Sequence, residues 1–377
     1  MKIIVDENIS FGKEAFSQFG SVQLMQGRQI NNSSLKDADA LIVRSITRVD
    51  ADLLKDTPVK FVGTATIGTD HIDLDYLNSS GITFSDAKGC NANAVAEYVF
   101  TSIMYNCVKH GITLKDKTIG VVGIGNIGSR IVRLSKAIGL KVIQNDPPLK
   151  RKTGSPDFKD LNEIFSADII TLHVPLNKEG IDKTVHLFDE ANLNKLKNGA
   201  VFINASRGQV VDNEALNRLL TKKNLIVTLD VWENEPVINT GLLEKVNLAS
   251  PHIAGYSLEG KVNGTVIIYN ALCNMLGIKP NWSPVMPVIE SNTVSHLRST
   301  GIEEDLHKIF SVIYDISKDD VATRKILSMP VEERGKYFDL LRKNYPLRRE
   351  FINYKIKFED NDSHLYEILK SFRFNFI

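Results

Sequence analysis

The sequence predicts an α/β protein of two doubly wound parallel-sheet domains with a cleft between them, followed by a small α+β C-terminal domain. Three observations carry that expectation. Short apolar runs alternate with helical patterns over roughly the first 280 residues, as buried parallel strands and their crossover helices require. A glycine-punctuated stretch, Thr118 to Ile143, reads as strand, turn, helix and strand. Beyond Pro280 the pattern changes to amphipathic helices and one alternating segment.

Composition sets outer limits. The 377 residues suffice for two or three domains of ordinary size, and 43% hydrophobic with 24% charged residues suits a soluble globular chain. A formal charge of +1 gives no global attraction to nucleic acid or to an anionic membrane. No apolar run reaches the ~18 residues of a membrane span, and MKIIVDENIS enters a strand without a signal-peptide pattern. Cys90, Cys107 and Cys273 lie far apart and lack metal-ligand spacing. A reduced, cytoplasmic protein without a metal is expected.

Lys2–Val5 is the first strand, followed by a helix near Gly12–Phe19. Ala40–Val43 leads into Arg44 and Ser45, and Val59–Val62 into Gly63–Asp70. Ligands of doubly wound sheets collect beyond the strand C-termini. Arg44, Ser45 and Arg48 at one strand end, with Thr64, Thr66 and Gly68 at the other, suit a small anion. The alternative for both is turn chemistry with solvated arginines. Asn91–Met104 is a helix capped by Asn91 or Asn93, and polar Lys109–Lys117 suits a linker.

In the central stretch, Ile119, Val121 and Val122 lead into Gly123-Ile124-Gly125-Asn126-Ile127-Gly128. Gly123 permits a tight turn, Gly125 a close backbone approach to a pyrophosphate, and Gly128 close packing of helix on strand. The helix N-terminus then offers N–H groups and partial positive charge to phosphates. Lys141–Ile143 follows, and Asp146 stands where a carboxylate would accept adenosine ribose hydroxyls and repel a 2′-phosphate. This Rossmann-like unit implies NAD rather than NADP.

Pro147-Pro148 and a charged loop, Leu149–Lys159, come next, then a short helix at Asp160–Phe165 and a strand at Asp168–His173. His173 precedes Val174-Pro175 and is assigned no chemistry. Strand Ala200–Asn204 ends in Ala205-Ser206-Arg207-Gly208, and helix Asp212–Thr221 follows, capped by Asp212. Strand Asn224–Leu229 ends in Asp230–Pro236, and Leu248–Tyr256 closes the domain. Successive strand ends thus offer Arg207, Glu235 and His252. Hydride removal from a secondary alcohol requires loss of the hydroxyl proton, which histidine accepts near neutral pH. A carboxylate on its other nitrogen fixes the tautomer, and arginine grips a substrate carboxylate with two parallel hydrogen bonds. Purely structural roles are the alternative: Arg207 paired to Asp230, Glu235 as an exposed carboxylate, His252 as a satisfied loop residue.

ASRGQVVD (Ala205–Asp212), LDVWENEP (Leu229–Pro236) and SPHIAGY (Ser250–Tyr256), behind VVGIGNIG, resemble the NAD-dependent D-2-hydroxyacid dehydrogenase family over roughly residues 1–280. The resemblance implies Arg207, Glu235 and His252 as catalytic set, with Gly123, Gly125, Asn126, Ile127, Gly128, Asp146, Ala205, Ser206, Arg207, Asp230 and Gly255 around NAD. VRSITRV (Val43–Val49), FVGTATIGTDHID (Phe61–Asp73), GCNANAVAEYVF (Gly89–Phe100) and HIAGYSLEGK (His252–Lys261) are similar to one branch of that family. Its substrate is a small phosphorylated 2-hydroxy acid, and it implies that Ser45, Thr66 and Tyr256 contact substrate. Arg44 and backbone N–H groups near Gly68 are further candidates. Two other readings stay open: a sister dehydrogenase, for example one for 3-phosphoglycerate, and an NAD-sensing scaffold or corepressor on the same fold.

Past a proline-containing linker, Ile302, Leu306, Ile309, Phe310, Ile313 and Ile316 mark one amphipathic helix, and Tyr337–Tyr345 a second. Ile352, Tyr354, Ile356 and Phe358 alternate as a strand, and Leu365–Phe372 is a last helix. Arg342, Lys343, Arg348 and Arg349, interspersed with acids, are expected to form a solvated face. The branch resemblance implies that this segment makes a homodimer. The expected domains are 1–95 with 254–282 for substrate, 96–253 for NAD and 287–377 for dimerisation.

Overall fold

The computed structural model describes residues 1–296, 301–359 and 362–377. Strand β1 (Lys2–Asp6) shows how the first sheet is built: Ile3 and Val5 face one side and Ile4 the other, all fully buried. Strands β2 (Ser21–Met25), β3 (Ala40–Val43), β4 (Phe61–Thr64) and β5 (Thr83–Asp86) join it in the parallel order β2-β1-β3-β4-β5. Helix Leu258–Leu276, capped by the Ser257 side chain, lays Ile268, Tyr269 and Leu272 on the face that holds Ile3, Phe16 and Ile42. Residues 1–91 and 257–288 form this first unit.

Residues 92–256 and 289–377 form the second unit. Strands β6 (Thr118–Val122), β7 (Lys141–Asn145), β8 (Ile169–Leu172), β9 (Val201–Asn204), β10 (Ile226–Leu229) and β11 (Leu248–Ala249) are parallel in the order β11-β10-β9-β8-β6-β7. The order reverses between β6 and β8, so a ligand crevice is expected at the glycine turn that leaves β6. Ile119, Val121, Ile169 and Ile203 pack on one face of the sheet, and Val122, Ile170, Phe202 and Val227 on the other. Burial on both faces is why these strands read as continuous apolar runs.

Several elements differ from the sequence reading. Helix Ala92–His110 runs through the expected linker start because Asn106 and Cys107 are buried, and Gly111, at φ 65°, stops it. The charged loop after β7 begins as a helix, Pro147–Thr153. Proline suits the first helical turn, Asp146 caps it by accepting from Leu149 N, and Gly154 ends it in the left-handed region. The single helix expected through Ile316 is two, Ile302–Ile313 and Ile316–Arg324, because Asp315 caps the second by accepting from Ser317 N.

The C-terminal segment shares a core with the nucleotide-type sheet instead of owning one. Leu306, Phe310, Phe351 and Phe372 pack in one cluster with Phe100, Ile103 and Ile131. Phe310 stacks on Phe351 at 4.7 Å and meets Phe372 at 5.0 Å between ring centroids. A small parallel sheet, β12 (Thr293–His296), β13 (Lys355–Phe358) and β14 (Asn375–Phe376), completes the segment. The expected solvated basic face is only partly there: Lys343 is exposed and Arg342 half-buried, but Arg348 and Arg349 are buried. Arg348 lies 4.6 Å over the Tyr314 ring and donates to the carbonyls of Ala94 and Ala254, with Asp319 as the nearby opposite charge. The interspersed acids and tyrosines turn inward with the arginines, which composition does not reveal. Among the described residues no helix is long and apolar enough to cross a membrane.

Because this core is continuous, Phe310→Ala should destabilise the whole second unit by about 3–5 kcal/mol in urea unfolding. A loss below about 1 kcal/mol would mean that the segment is not part of that core.

Candidate active site

The turn after β6 has the shape a dinucleotide requires. Gly123 adopts φ 88°, and a side chain there would meet the His173 carbonyl at 2.6 Å. A Cβ on Gly128 would stand 1.9 Å from the Gly123 carbonyl, so only glycine lets helix Gly128–Ile138 start this close to the strand. Gly125 is the opposite: exposed, with nothing within 4 Å of its missing Cβ, so the backbone is open to a pyrophosphate. Asn126 is exposed beside it, and Ile127 is half-buried. Asp146 accepts from Ile124 N at 2.8 Å and from Leu149 N at 2.9 Å, which holds its carboxylate against the turn. The residues present therefore fit NAD.

His173 begins where β8 ends; its Nε2 lies 2.9 Å from Thr171 Oγ1, and burial pushes its pKa down to about 3. It is a packed histidine held neutral by burial.

Arg207, Glu235 and His252 follow the C-terminal ends of β9, β10 and β11, which are neighbours in the sheet. Asn204, the last residue of β9, shapes the Arg207 turn: its Oδ1 accepts from Ser206 N and Oγ, and its Nδ2 donates to the Arg207 carbonyl. Ala205 and Ser206 are buried by this turn, while Arg207 is half-buried. Gly208 presses against the next strand end, where any Cβ would meet the Trp232 carbonyl at 1.9 Å. His252 Nδ1 pairs with Glu235 Oε2 at 2.8 Å, and Glu235 Oε1 accepts from Trp232 N at 2.8 Å. Burial would raise the Glu235 pKa, but His252, the Trp232 N–H and Arg342 outweigh it and hold the carboxyl below its ordinary value. An ionised Glu235 thus fixes the proton on Nδ1 and leaves Nε2 for proton exchange.

Asp230 does not pair with Arg207. Its fully buried carboxylate accepts from Ser250 Oγ at 2.6 Å, Ile253 N at 2.7 Å and Ala254 N at 3.0 Å. Its own carbonyl takes the His252 N–H at 2.7 Å. These bonds hold His252 at φ 59°, which a non-glycine residue adopts at a cost of about 1–3 kcal/mol. Half-buried Gly255 and Tyr256 follow on the same loop. The C-terminal segment grips that loop too: Asp320 accepts from Ala249 N at 2.7 Å, Arg348 donates to Ala254 O, and Arg342 donates to Tyr256 Oη at 3.0 Å. The sequence reading missed Asn204 and all three C-terminal residues. An asparagine closing an apolar strand before small residues was a usable signal for the first; the others had none.

In the first unit, Arg44 pairs with fully buried Asp6 at 3.2 Å, and Ser45 is exposed. Thr64 Oγ1 bridges Thr66 Oγ1 at 2.8 Å and His71 Nε2 at 3.1 Å, with half-buried Gly68 between them in the chain. Among the described residues no His, Cys, Asp and Glu group could hold a metal ion.

Residues 96–254 match the model of the D-isomer specific 2-hydroxyacid dehydrogenase NAD binding domain, and residues 285–371 that of a domain of unknown function, DUF3410. The erythronate-4-phosphate dehydrogenase of Cronobacter sakazakii is 45% identical over 96% of this chain and 95% of its own. That of Escherichia coli is 45% identical over 93% of this chain and 92% of its own. Among solved structures, NAD+-bound 3-phosphoglycerate dehydrogenase of Entamoeba histolytica is 28% identical with a TM-score of 0.63, covering 74% of this chain and 95% of that one. The D-lactate dehydrogenase of Aquifex aeolicus, complexed with NAD and lactic acid, is 25% identical with a TM-score of 0.57, over 74% and 96%.

A Glu235 pKa lowered on folding contributes stability above the ordinary value of 4.5 and loses it as pH falls through the folded value. Glu235→Gln lacks that contribution. The gap in urea midpoint between wild type and variant should therefore be widest near neutral pH and narrow below pH ~4.5. A gap independent of pH would show that the carboxylate is not ionised by its partners.

Proposed function

The chain belongs to the erythronate-4-phosphate dehydrogenases of the D-isomer-specific 2-hydroxyacid dehydrogenase family, and we propose that Arg207, Glu235 and His252 perform its reaction. The reaction is the NAD-dependent oxidation of 4-phospho-D-erythronate at C2 to (R)-3-hydroxy-2-oxo-4-phosphooxybutanoate, a step toward pyridoxal 5′-phosphate. NAD, when bound, accepts the C2 hydride. Arg207 holds the substrate carboxylate through paired N–H donors and thereby orients C2. His252 Nε2 takes the hydroxyl proton, and Glu235 on Nδ1 stabilises the imidazolium that results. Gly123, Gly125, Asn126, Ile127 and Gly128 bind the pyrophosphate, and Asp146 the ribose. Ala205, Ser206, Asp230 and Gly255 shape the nicotinamide end. Ser45, Thr66, Gly68 and Tyr256 contact the substrate, with Arg44 near its anionic end.

The observation that carries this reading is the 2.8 Å His252–Glu235 pair in the same unit as an open glycine turn. The test measures NADH formation with 4-phosphoerythronate, 3-phosphoglycerate and D-lactate side by side, with a 2-oxoacid acceptor in parallel and product detected directly. Preference for 4-phosphoerythronate is expected, and His252→Ala should lower kcat about 10²–10⁴-fold while NAD affinity is kept. Unchanged turnover in that variant removes His252 from the mechanism. Turnover of none of the acids would favour a scaffold.

The protein is further proposed to be a cytoplasmic homodimer. Three buried, unbridged cysteines suit a reducing compartment. Exposed Val312, Val321, Leu340, Leu347 and Ile352 give the C-terminal segment apolar surface for a second copy. Sedimentation of the full chain should give twice the monomer mass, and Leu347→Glu with Ile352→Glu should lower it. A monomeric wild type at micromolar concentration rules the dimer out.

A further inference from the structure

Arg342 is a C-terminal side chain beside Tyr256 whose guanidinium feels Glu235 and Asp230 but makes no direct ion pair with either. It lies on helix Val331–Lys343, donates through Nη2 to Tyr256 Oη at 3.0 Å, and sits 5.8 Å from the Tyr256 ring centroid. Its Nε is buried without an acceptor, and no carboxylate lies within ion-pairing distance among the described residues. Buried arginines are ordinarily matched by a carboxylate or by several carbonyls. Two other arginines of this segment obey that rule: Arg324 has Asp320 and two carbonyls, and Arg373 bridges Glu97 and Glu350. Arg44, the cation first considered for the substrate's far end, is already matched by Asp6 at 3.2 Å. Arg342 has an unpaired donor and lies close enough for its charge to act on Glu235.

The substrate brings two anions, a carboxylate at one end and a phosphate at the other. With Arg207 on the carboxylate, the phosphate requires its own cation. We propose that Arg342 is a specificity-determining residue, which with Tyr256 receives the phosphate group of the substrate. The C-terminal segment is then part of the active site, not only a candidate assembly surface. Guanidinium N–H groups suit phosphate oxygens, and Tyr256 stands against that guanidinium. The inference rests on the assignment of His252 and Arg207 to the reacting end.

The decisive quantity is the ratio of kcat/KM for 4-phosphoerythronate to that for unphosphorylated D-erythronate. In Arg342→Gln the ratio should fall about 10- to 100-fold, mainly through KM, the effect of one or two lost charge-assisted hydrogen bonds. Arg342→Lys should keep part of it, as a point charge without the guanidinium fork. Inorganic phosphate should compete with substrate in the wild type and lose potency in both variants. An unchanged ratio in the variants overturns the proposal, as does an equal loss on both substrates, which would make Arg342 a support for the loop. NADH binding by fluorescence checks folding. If Arg342→Gln fails that check, the Lys variant still decides, because its ratio must fall. A wild type that does not prefer the phosphorylated acid would instead overturn the substrate assignment.

Discussion

The buried carboxylate of Asp230 is the interaction on which the geometry of the proposed catalytic pair depends. It stands at the end of β10 and gathers three donors from the next strand end: the Ser250 hydroxyl and the amides of Ile253 and Ala254. An ionised carboxylate out of water is costly unless hydrogen-bonded, and here both oxygens are satisfied. Those bonds fix the loop in which His252 adopts a positive φ, so the strain at one residue is offset by the satisfaction of another. Trp232 adds a second lock, donating its indole N–H to the Ser250 carbonyl at 3.0 Å while its backbone N–H holds Glu235. Both halves of the Glu235–His252 pair are therefore positioned from the same few buried residues.

The same loop is held from the other side by the C-terminal segment. Asp320 takes the Ala249 amide, and Arg348 the Ala254 carbonyl, so the chain between them is restrained at both ends. These contacts follow from the shared core: once Phe310 and Phe351 pack against helix Ala92–His110, the polar residues near them are buried and need partners. Backbone groups of the loop around His252 are the partners available. Packing energy on one side thus becomes positional order on the other.

How much of this was legible in the sequence divides along physical lines. Strands buried on both faces and a glycine turn leave local signatures, so the two sheets, the nucleotide turn and the His252–Glu235 pairing could be read from spacing. The helix at Pro147–Thr153 was masked by its charge, although Asp146, Pro147 and Gly154 carried cap, first-turn and stop signals. The inward turn of Arg342, Arg348 and Arg349 had no local signature at all. Interspersed charges look alike whether solvated or paired in a core, and only the long-range contacts of Arg348 with Tyr314 and Ala254 distinguish the two. Asp230 likewise matched a family motif, while its role as holder of the loop depends on Ser250, far along the chain.

Substrate choice is the step that this geometry explains least from the shared fold. Arg207, Glu235 and His252 stand where they do because β9, β10 and β11 are adjacent parallel strands, a register that any protein on this sheet inherits. The proposed carboxylate grip of Arg207 and proton acceptor His252 would recognise every 2-hydroxy acid alike. Discrimination among such acids must come from groups that touch the rest of the substrate, and those need charge matched to it. The solved relatives cover 74% of this chain, so about a quarter of it lies beyond their shared framework. The C-terminal segment places a cation without a carboxylate partner beside Tyr256. A fold that supplies the chemistry from its sheet can thus take its selectivity from what packs against it.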